Sequence, residues 1–225
     1  MALPAPPRQR LLEAAIGLMR RSGLSGAGIN EIVRESGAPK GSVYHFFPGG
    51  KQQIVLESLA AYAPGIRAVF AEGLARGRTP ADRVRALFRG FARRIEANDF
   101  CRSCAGGTVT LDLGEGEEAI RRAIAAMFAD WIAVIAARLD LGGPRRSRSF
   151  AGLVLTAIEG AYIRARAERS GAAFREAGDW LAELAAAGAP TSRSAPSRSS
   201  GGRRARPAPP RSAPRGSRAP RGRRA

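Results

Sequence analysis

Histidine is almost missing from this chain of 225 residues, where His45 is the one example. A histidine-based metal site or proton relay elsewhere in the chain is thereby excluded. Cysteine is nearly as scarce: Cys101 and Cys104 are the two copies, too few for the multi-bridge framework of a small secreted domain. No uninterrupted apolar run approaches the roughly 20 residues that span a bilayer. Met1 to Pro7 is short and proline-rich, without the apolar stretch of a secretory signal. The expectation is a cytoplasmic protein with no membrane partner. No stretch alternates β-branched residues as a half-buried strand does, which argues against a sheet. No serine, cysteine or carboxylate constellation has catalytic spacing, so an enzyme has little support, and no cofactor is expected. A disulfide oxidoreductase built on Cys101 and Cys104 is the least implausible enzymatic form.

Charge, by contrast, is abundant and of one sign. The formal net charge is +18, and it divides unevenly along the chain. Residues 8–56 hold 7 basic and 3 acidic side chains, residues 57–187 hold 19 and 16, and residues 188–225 hold 11 and 0. Of the 37 basic residues only Lys40 and Lys51 are lysines. The last segment, rich in Arg, Ser, Pro, Gly and Ala, has almost no large apolar side chain with which to offset its ordering entropy, so a disordered tail is expected at 188–225. Its 11 arginines would attract any polyanion and add salt-sensitive affinity for nucleic acid, about 0.9 log units per neutralised phosphate. A functionless extension of a GC-rich gene accounts for the same composition. No aromatic residue interleaves the arginines, so stacking on single strands is not indicated.

The segment Ile29 to Lys51 has the layout of a helix, a glycine-centred turn and a second, short helix. Ile29, Ile32 and Val33 share one face of the first helix and must pack, while Asn30, Glu31 and Arg34 stay outside. Gly37 ends that helix because glycine enters the left-handed region at little cost. Pro39 then suits the start of a new helix, where its fixed φ and missing donor do no harm. The second helix restarts near Lys40 and presents Lys40, Ser42, Tyr44 and His45, with Val43 and Phe47 turned inward. Gly41, lacking a side chain, lets the backbone come close to a phosphate. In helix-turn-helix modules the second helix lies in the major groove with its first residues at the base edges.

The run Ser36 to Phe47, with the following Lys51, resembles the TetR family of bacterial transcriptional regulators. Pro48 and Lys51 are separated by Gly49 and Gly50, one glycine more than many members have, and this resembles the LmrA/YxaF-type branch that controls multidrug-efflux genes. A second departure is Gly28, where a threonine usually caps the first helix. Glycine is weaker there by a few tenths of a kcal/mol, roughly. The resemblance implies DNA contacts from Gly28, Asn30, Pro39, Lys40, Gly41, Ser42, Tyr44, His45 and Lys51. Lys51 then reads as a phosphate clamp, Lys40 as a partner for guanine O6 and N7, and Asn30 as a reader of adenine or phosphate. The alternative for Lys51 is a solvated surface lysine, and an ordinary exposed position explains Asn30 as simply as a contact does.

Beyond the module, apolar residues recur every three to four positions to about Ala187, which makes the fold class all-α. A first helix over about Arg8 to Ser22 is expected to bury Leu12, Ala15, Ile16 and Met19 and to stop at Gly23. A long helix from about Gln52 is expected to bend or break at Pro64-Gly65. Thr79-Pro80-Ala81-Asp82 reads as a cap opening a helix with Val84, Leu87, Phe88, Phe91 and Ile95 inside. Cys101 to Gly116 reads as irregular. Three more helices carry Ile120 to Ile135, Phe150 to Tyr162, and Phe174 to Leu184. The domain division expected is 1–7 disordered, 8–56 a helix-turn-helix head, 57–187 a helical ligand-binding and dimerisation domain, and 188–225 a disordered tail.

The same resemblance implies a homodimer reading a palindromic double-stranded operator, and a small-molecule effector received by the larger domain. Leu153, Ala157, Gly160, Ala161, Leu181 and Leu184 are the expected dimer contacts, although the stripe also fits an intramolecular core. Phe88, Phe91, Cys104, Met127, Phe128 and Trp131 are the expected pocket residues, each of which also fits plain core. No charge falls on those stripes, so the effector is expected to be mostly apolar. Cys101-Arg102-Ser103-Cys104 is a C-x-x-C pair open to redox sensing or to half of a metal site shared across a dimer. A cysteine commonly stands at the position of Cys104 in this branch, which favours ancestry as its explanation.

Overall fold

The computed structural model describes residues 5–188. Residues 1–4 and 189–225 lie outside them, and with them most of the tail and of the N-terminal segment expected to be disordered. Among the described residues all regular structure is helical: α1 (Pro7–Gly26), α2 (Ile29–Ser36), α3 (Gly41–Phe46), α4 (Gly50–Ala75), α5 (Pro80–Glu96), α6 (Ala105–Thr110), α7 (Glu118–Ala136), α8 (Pro144–Glu168) and α9 (Ala172–Gly188).

Helices α1 to α3 form a head against the start of α4. The regular part of α1 ends at Gly23, which takes φ 67° and ψ −160°, a region reserved for glycine. Leu11, Ala14, Ala15, Leu18 and Met19 are its buried residues, whereas Leu12 and Ile16 are only half-buried. The expected face is therefore shifted, because α1 is held both by α2 and α3 and by α4 and α6 of the body. Gly37, at φ 60°, ends α2 as its sequence predicts.

Helix α4 passes from head to body across residues 56–57 without a break, and Pro64 does not interrupt it. Pro64 leaves the Ala60 carbonyl without its helical donor. Both residues face solvent, where water satisfies that oxygen. By length and composition α4 would pass for a membrane span. Its apolar residues instead serve a core: Ile54, Val55, Leu59, Tyr62, Ile66, Phe70 and Leu74 are buried against α1, α5 and α7.

The body packs α5 most extensively on α9, α4 on α7, and α8 on both α7 and α9. Thr79 caps α5 in a full capping box, its hydroxyl accepting from Asp82 N at 3.1 Å while Asp82 Oδ2 accepts from Thr79 N at 3.2 Å. The Thr79 hydroxyl also donates to Asp82 Oδ2 at 2.8 Å, and this bond, with that from Thr79 N, holds the Asp82 carboxyl below the usual range. An aromatic cluster fills the centre, with Phe70 between Phe91 and Trp131 at centroid distances of 5.6 and 5.7 Å, and Phe174 stacked on Phe91 at 6.1 Å. The stretch from Cys101 to Gly116, expected to be irregular, contains α6. That six-residue helix is capped by Cys104, whose sulfur accepts from Gly107 N at 3.5 Å.

Candidate nucleic-acid interface and effector pocket

The head holds its second helix by burying one side of it. Val43 and Phe47 are fully buried, and the turn before them is closed by Ser42 N donating to Pro39 O at 2.9 Å. Upstream, Ser36 Oγ accepts from Ala38 N at 3.2 Å and donates to Val33 O at 3.0 Å, fixing the exit from α2. Ion pairs from Arg21 to Glu35 and from Arg8 to Glu57 tie α1 to α2 and to α4. What remains outward is Pro39, Lys40, Gly41, Tyr44 and His45, all exposed, with Ser42 half-buried. Tyr44 is 59% exposed, an unusual position for an aromatic ring with no function at the surface. Gly41 has open space before it, so its backbone is accessible. Asn30 is exposed on α2, Gly28 is half-buried as its N-cap, and Lys51 is half-buried at the start of α4.

The body contains a cavity of about 650 Å³ between α6, α7 and α8, lined by Ser103, Gly107, Thr108, Thr110, Leu111, Phe128, Glu159, Tyr162, Ile163, Arg166 and Ala167. Of the six residues expected to line a pocket, Phe128 alone does so here. Phe91, Cys104 and Trp131 surround a much smaller void of about 10 Å³ deeper in the core, next to Glu159 and Tyr162. Phe88 packs against Gly178 of α9, and Met127 against Gly106 of α6, so neither reaches the cavity.

Two charged residues, Glu159 and Arg166, stand in the lining, outside the stripes whose lack of charge suggested a mostly apolar effector. Leu155, Glu159, Tyr162 and Arg166 fall at i, i+4, i+7 and i+11 on α8, one face beside the apolar stripe. An apolar periodicity search passes over such a face; a glutamate and an arginine bordering the stripe at helical spacing were its only trace. Burial pushes the Glu159 carboxyl up to about 7, with the Cys104 thiol as its neighbour. Burial also raises the Cys104 thiol well above its usual value, and Tyr162 and Tyr62 likewise, so all three stay neutral. A Cβ on Gly107 would overlap Glu159 Oε2, so the carboxylate lies directly against the backbone of α6.

Two of the lining residues, Ser103 and Thr108, are themselves hydrogen-bonded to the head. Thr108 Oγ1 donates to Met19 O at 2.6 Å, Ser103 N to Arg20 O at 2.9 Å, and Arg20 Nε to Ser103 O at 3.0 Å. From α8, Arg166 donates to Arg21 O at 3.1 Å and to Ser103 Oγ at 3.4 Å. Just past α6, Asp112 accepts from Ser25 N at 2.9 Å, a bond that holds its carboxyl below the usual range. Cavity wall and the end of α1 are thus one hydrogen-bonded unit.

The expected dimer residues divide. Leu153 and Leu184 are 46% and 55% exposed, and Gly160 is exposed too. Ala161 and Leu181 are buried inside the protomer and Ala157 is half-buried, so these three serve mainly the internal core. The buried face of α8 is Ala151, Val154, Leu155, Ile158, Ala161, Tyr162 and Ala165. Sequence reasoning missed Ile163 and Trp180, exposed by 62% and 70%. Cys101 is exposed and Cys104 buried, both as free thiols.

Comparison with known proteins places these features in a family. Residues 11–58 match the family model of bacterial regulatory proteins of the tetR family, and residues 80–180 match the C-terminal domain of LmrA/YxaF-like transcriptional regulators. The chain is 30% identical to the HTH-type transcriptional regulator LmrA of Bacillus subtilis over 63% of its own length and 76% of that protein. It is 31% identical to an HTH-type transcriptional regulator of Mycobacterium tuberculosis, over 72% of its own length and 86% of the relative's. In fold it is similar to a TetR regulatory protein of Rhodobacter sphaeroides, with a TM-score of 0.71 and 22% identity over 80% of this chain and 98% of that one. It is also similar in fold to a cysteine mutant of the regulator CifR in complex with a 26-base-pair double-strand operator DNA, with a TM-score of 0.67 and 18% identity, covering 81% and 98% of the two chains. A helix-turn-helix head with an outward recognition face, joined to a helical body of this branch, leaves one assignment: the chain belongs to the TetR family and is a DNA-binding transcriptional regulator, not an enzyme.

Proposed function

We propose that the protein is a ligand-responsive repressor, cytoplasmic and nucleoid-associated when bound, whose homodimer holds two α3 helices over the half-sites of a palindromic operator. The observation that carries this reading is the shared wall: Thr108 of α6 lines the cavity and hydrogen-bonds Met19 of α1, and Asp112 just past α6 holds Ser25 N. A compound filling the cavity cannot displace α6 without acting on Met19, Arg20 and Ser25 of the head. Binding alone is not enough, because a ligand shifts the equilibrium only by its difference in affinity for the two head positions. CifR in complex with double-strand operator DNA supports the same use of this fold. In this reading Lys40, Tyr44, His45 and Lys51 contact DNA, with Gly28, Asn30, Pro39, Gly41 and Ser42 at the backbone. Half-sites about 34–36 Å apart give the dimer its gain in specificity. Exposed Leu153, Trp180 and Leu184 supply the apolar surface for pairing.

Footprinting on the DNA upstream of the protein's own gene, with and without small molecules, tests the reading. Protection of a palindrome that is lost in Tyr44→Ala/Lys51→Ala, by at least about ten-fold in affinity for lost charge-assisted bonds, is the expected result. Undiminished occupancy by that double variant at physiological ionic strength would sink it. A redox or metal response through Cys101 and Cys104 is less well supported, since the buried Cys104 thiol is held protonated and thiolate is the reactive form. Non-specific binding by the tail would show as loss of all binding when 189–225 are deleted.

A further inference from the structure

The cavity wall is mostly apolar, with Ser103, Thr108, Thr110, Glu159 and Arg166 as its polar members. Leu111, Phe128, Ile163 and Ala167 supply hydrocarbon, and Tyr162 adds a second aromatic ring beside Phe128. The one carboxylate in the lining is Glu159, and desolvation dominates its surroundings with no cation acting on it. Arg166 shares the lining but is engaged elsewhere, its two terminal nitrogens bonded to Arg21 O and Ser103 Oγ in the head-facing direction. Among the described residues no cation is bonded to Glu159, which stands in a cavity large enough for a drug-sized molecule, within the usual 300–1,000 Å³, roughly.

We infer that this cavity takes a hydrophobic monocation, a compound with one positive charge on an apolar or aromatic body, and that Glu159 is its counter-charge. The inference rests on the ligand-responsive reading only in calling the occupant an effector. The rings of Phe128 and Tyr162 favour a cation for a second reason, through their negative faces. An anion would meet Glu159 and be rejected, and a neutral compound would leave the carboxyl protonated and gain nothing from it. Gly107 belongs to the same device: the carboxylate lies against its backbone, so a cation that draws Glu159 toward itself acts on α6.

The arrangement gives a cation a pH signature that no neutral ligand shares. Near neutrality Glu159 is part-protonated, so a cation must drive the proton off, and each molecule bound releases up to one proton. Three other titratable groups facing Glu159 do not titrate in that range: Cys104 at the start of α6, Tyr162 from α8 and Tyr62 from α4 are held neutral; the cationic side chains nearby are Arg20 of α1 and Arg166 of α8.

Tetraphenylphosphonium, a permanent cation, and triphenylphosphine oxide, its neutral relative, test this by calorimetric titration of the full-length dimer at pH 6 and pH 8. The cation is expected to bind at least about ten-fold tighter than the oxide at pH 8, with affinity rising by up to about ten-fold per pH unit below about 7 and then levelling. Glu159→Gln is expected to remove that preference and the pH dependence while leaving the oxide's affinity unchanged. A thermal melt of the variant shows that it is folded. Equal or tighter binding of the oxide, an unaltered Glu159→Gln, or binding of neither compound would overturn the assignment. Glu159-dependent uptake of the cation with no change in the DNA footprint would keep the assignment and remove the regulatory reading. Release of DNA by the neutral compound alone would do the reverse.

Discussion

Replacing Glu159 by glutamine should stabilise the fold, and by an amount that grows with pH. In the unfolded chain the carboxyl titrates near 4.5, and in the folded protein burial moves it to about 7. Below 4.5 both states hold the proton, and Glu159 adds no penalty. Between 4.5 and 7 the unfolded chain gives up its proton first, so stability is lost progressively as pH rises. Above 7 both states are ionised and the loss is complete. At about 1.4 kcal/mol per pKa unit, the rise corresponds to about 3 kcal/mol. For a domain of this size a change of 1 kcal/mol moves Tm by about 2–4 °C, so the full effect is about 6–12 °C. Thermal unfolding of the wild type and Glu159→Gln at pH 4.5, 6 and 8 measures it. Any constant difference in packing between the two side chains cancels when the gap in Tm is compared across pH. A gap that widens toward pH 8 is the expected outcome. A gap constant across the range, or one that narrows, would show that Glu159 is solvated or paired in the folded protein, and the argument for an uncompensated carboxylate would fail with it.

Three further outcomes follow from single contacts. Gly23→Ala must place a Cβ in a backbone region closed to it and into the Asp112 carboxylate, so a loss of about 2–3 kcal/mol in urea unfolding is expected; a loss below about 0.5 kcal/mol would contradict that geometry. Thr79→Ala removes both halves of the capping box and is expected to lower stability by about 1 kcal/mol, whereas Thr79→Ser should retain most of it. Trp180→Glu with Leu184→Glu puts charge on the exposed apolar side of α9 and is expected to convert dimer to monomer in sedimentation velocity, while unchanged mass would move the interface elsewhere.

Local signals were the legible ones. Gly37, Pro39 and the Val43/Phe47 pair specify the turn and the inward side of α3, because each acts through its own backbone or its immediate neighbours. Thr79 to Asp82 likewise read as a cap with proline at the first turn, and the structure makes it a full capping box. The short helix α6 escaped notice since four of its six residues are Gly or Thr, poor helix formers, and it is held by hydrogen bonds to α1, more than eighty residues away. Pro64-Gly65 was expected to bend or interrupt α4, and the helix runs through it uninterrupted because the proline falls on the side that faces water.

Sequence alone therefore determined the helical class, the head with its outward residues, and the family to which the chain belongs, since all of these are written in period, caps and turn residues close together in the chain. Tertiary structure alone decided what surrounds the cavity. Glu159 is an ordinary polar residue in the sequence, and it becomes an uncompensated charge only because α6, α7 and α8 close around it while Arg166 turns away to the head. Desolvation is a property of everything packed around a group, and no stretch of chain carries it by itself.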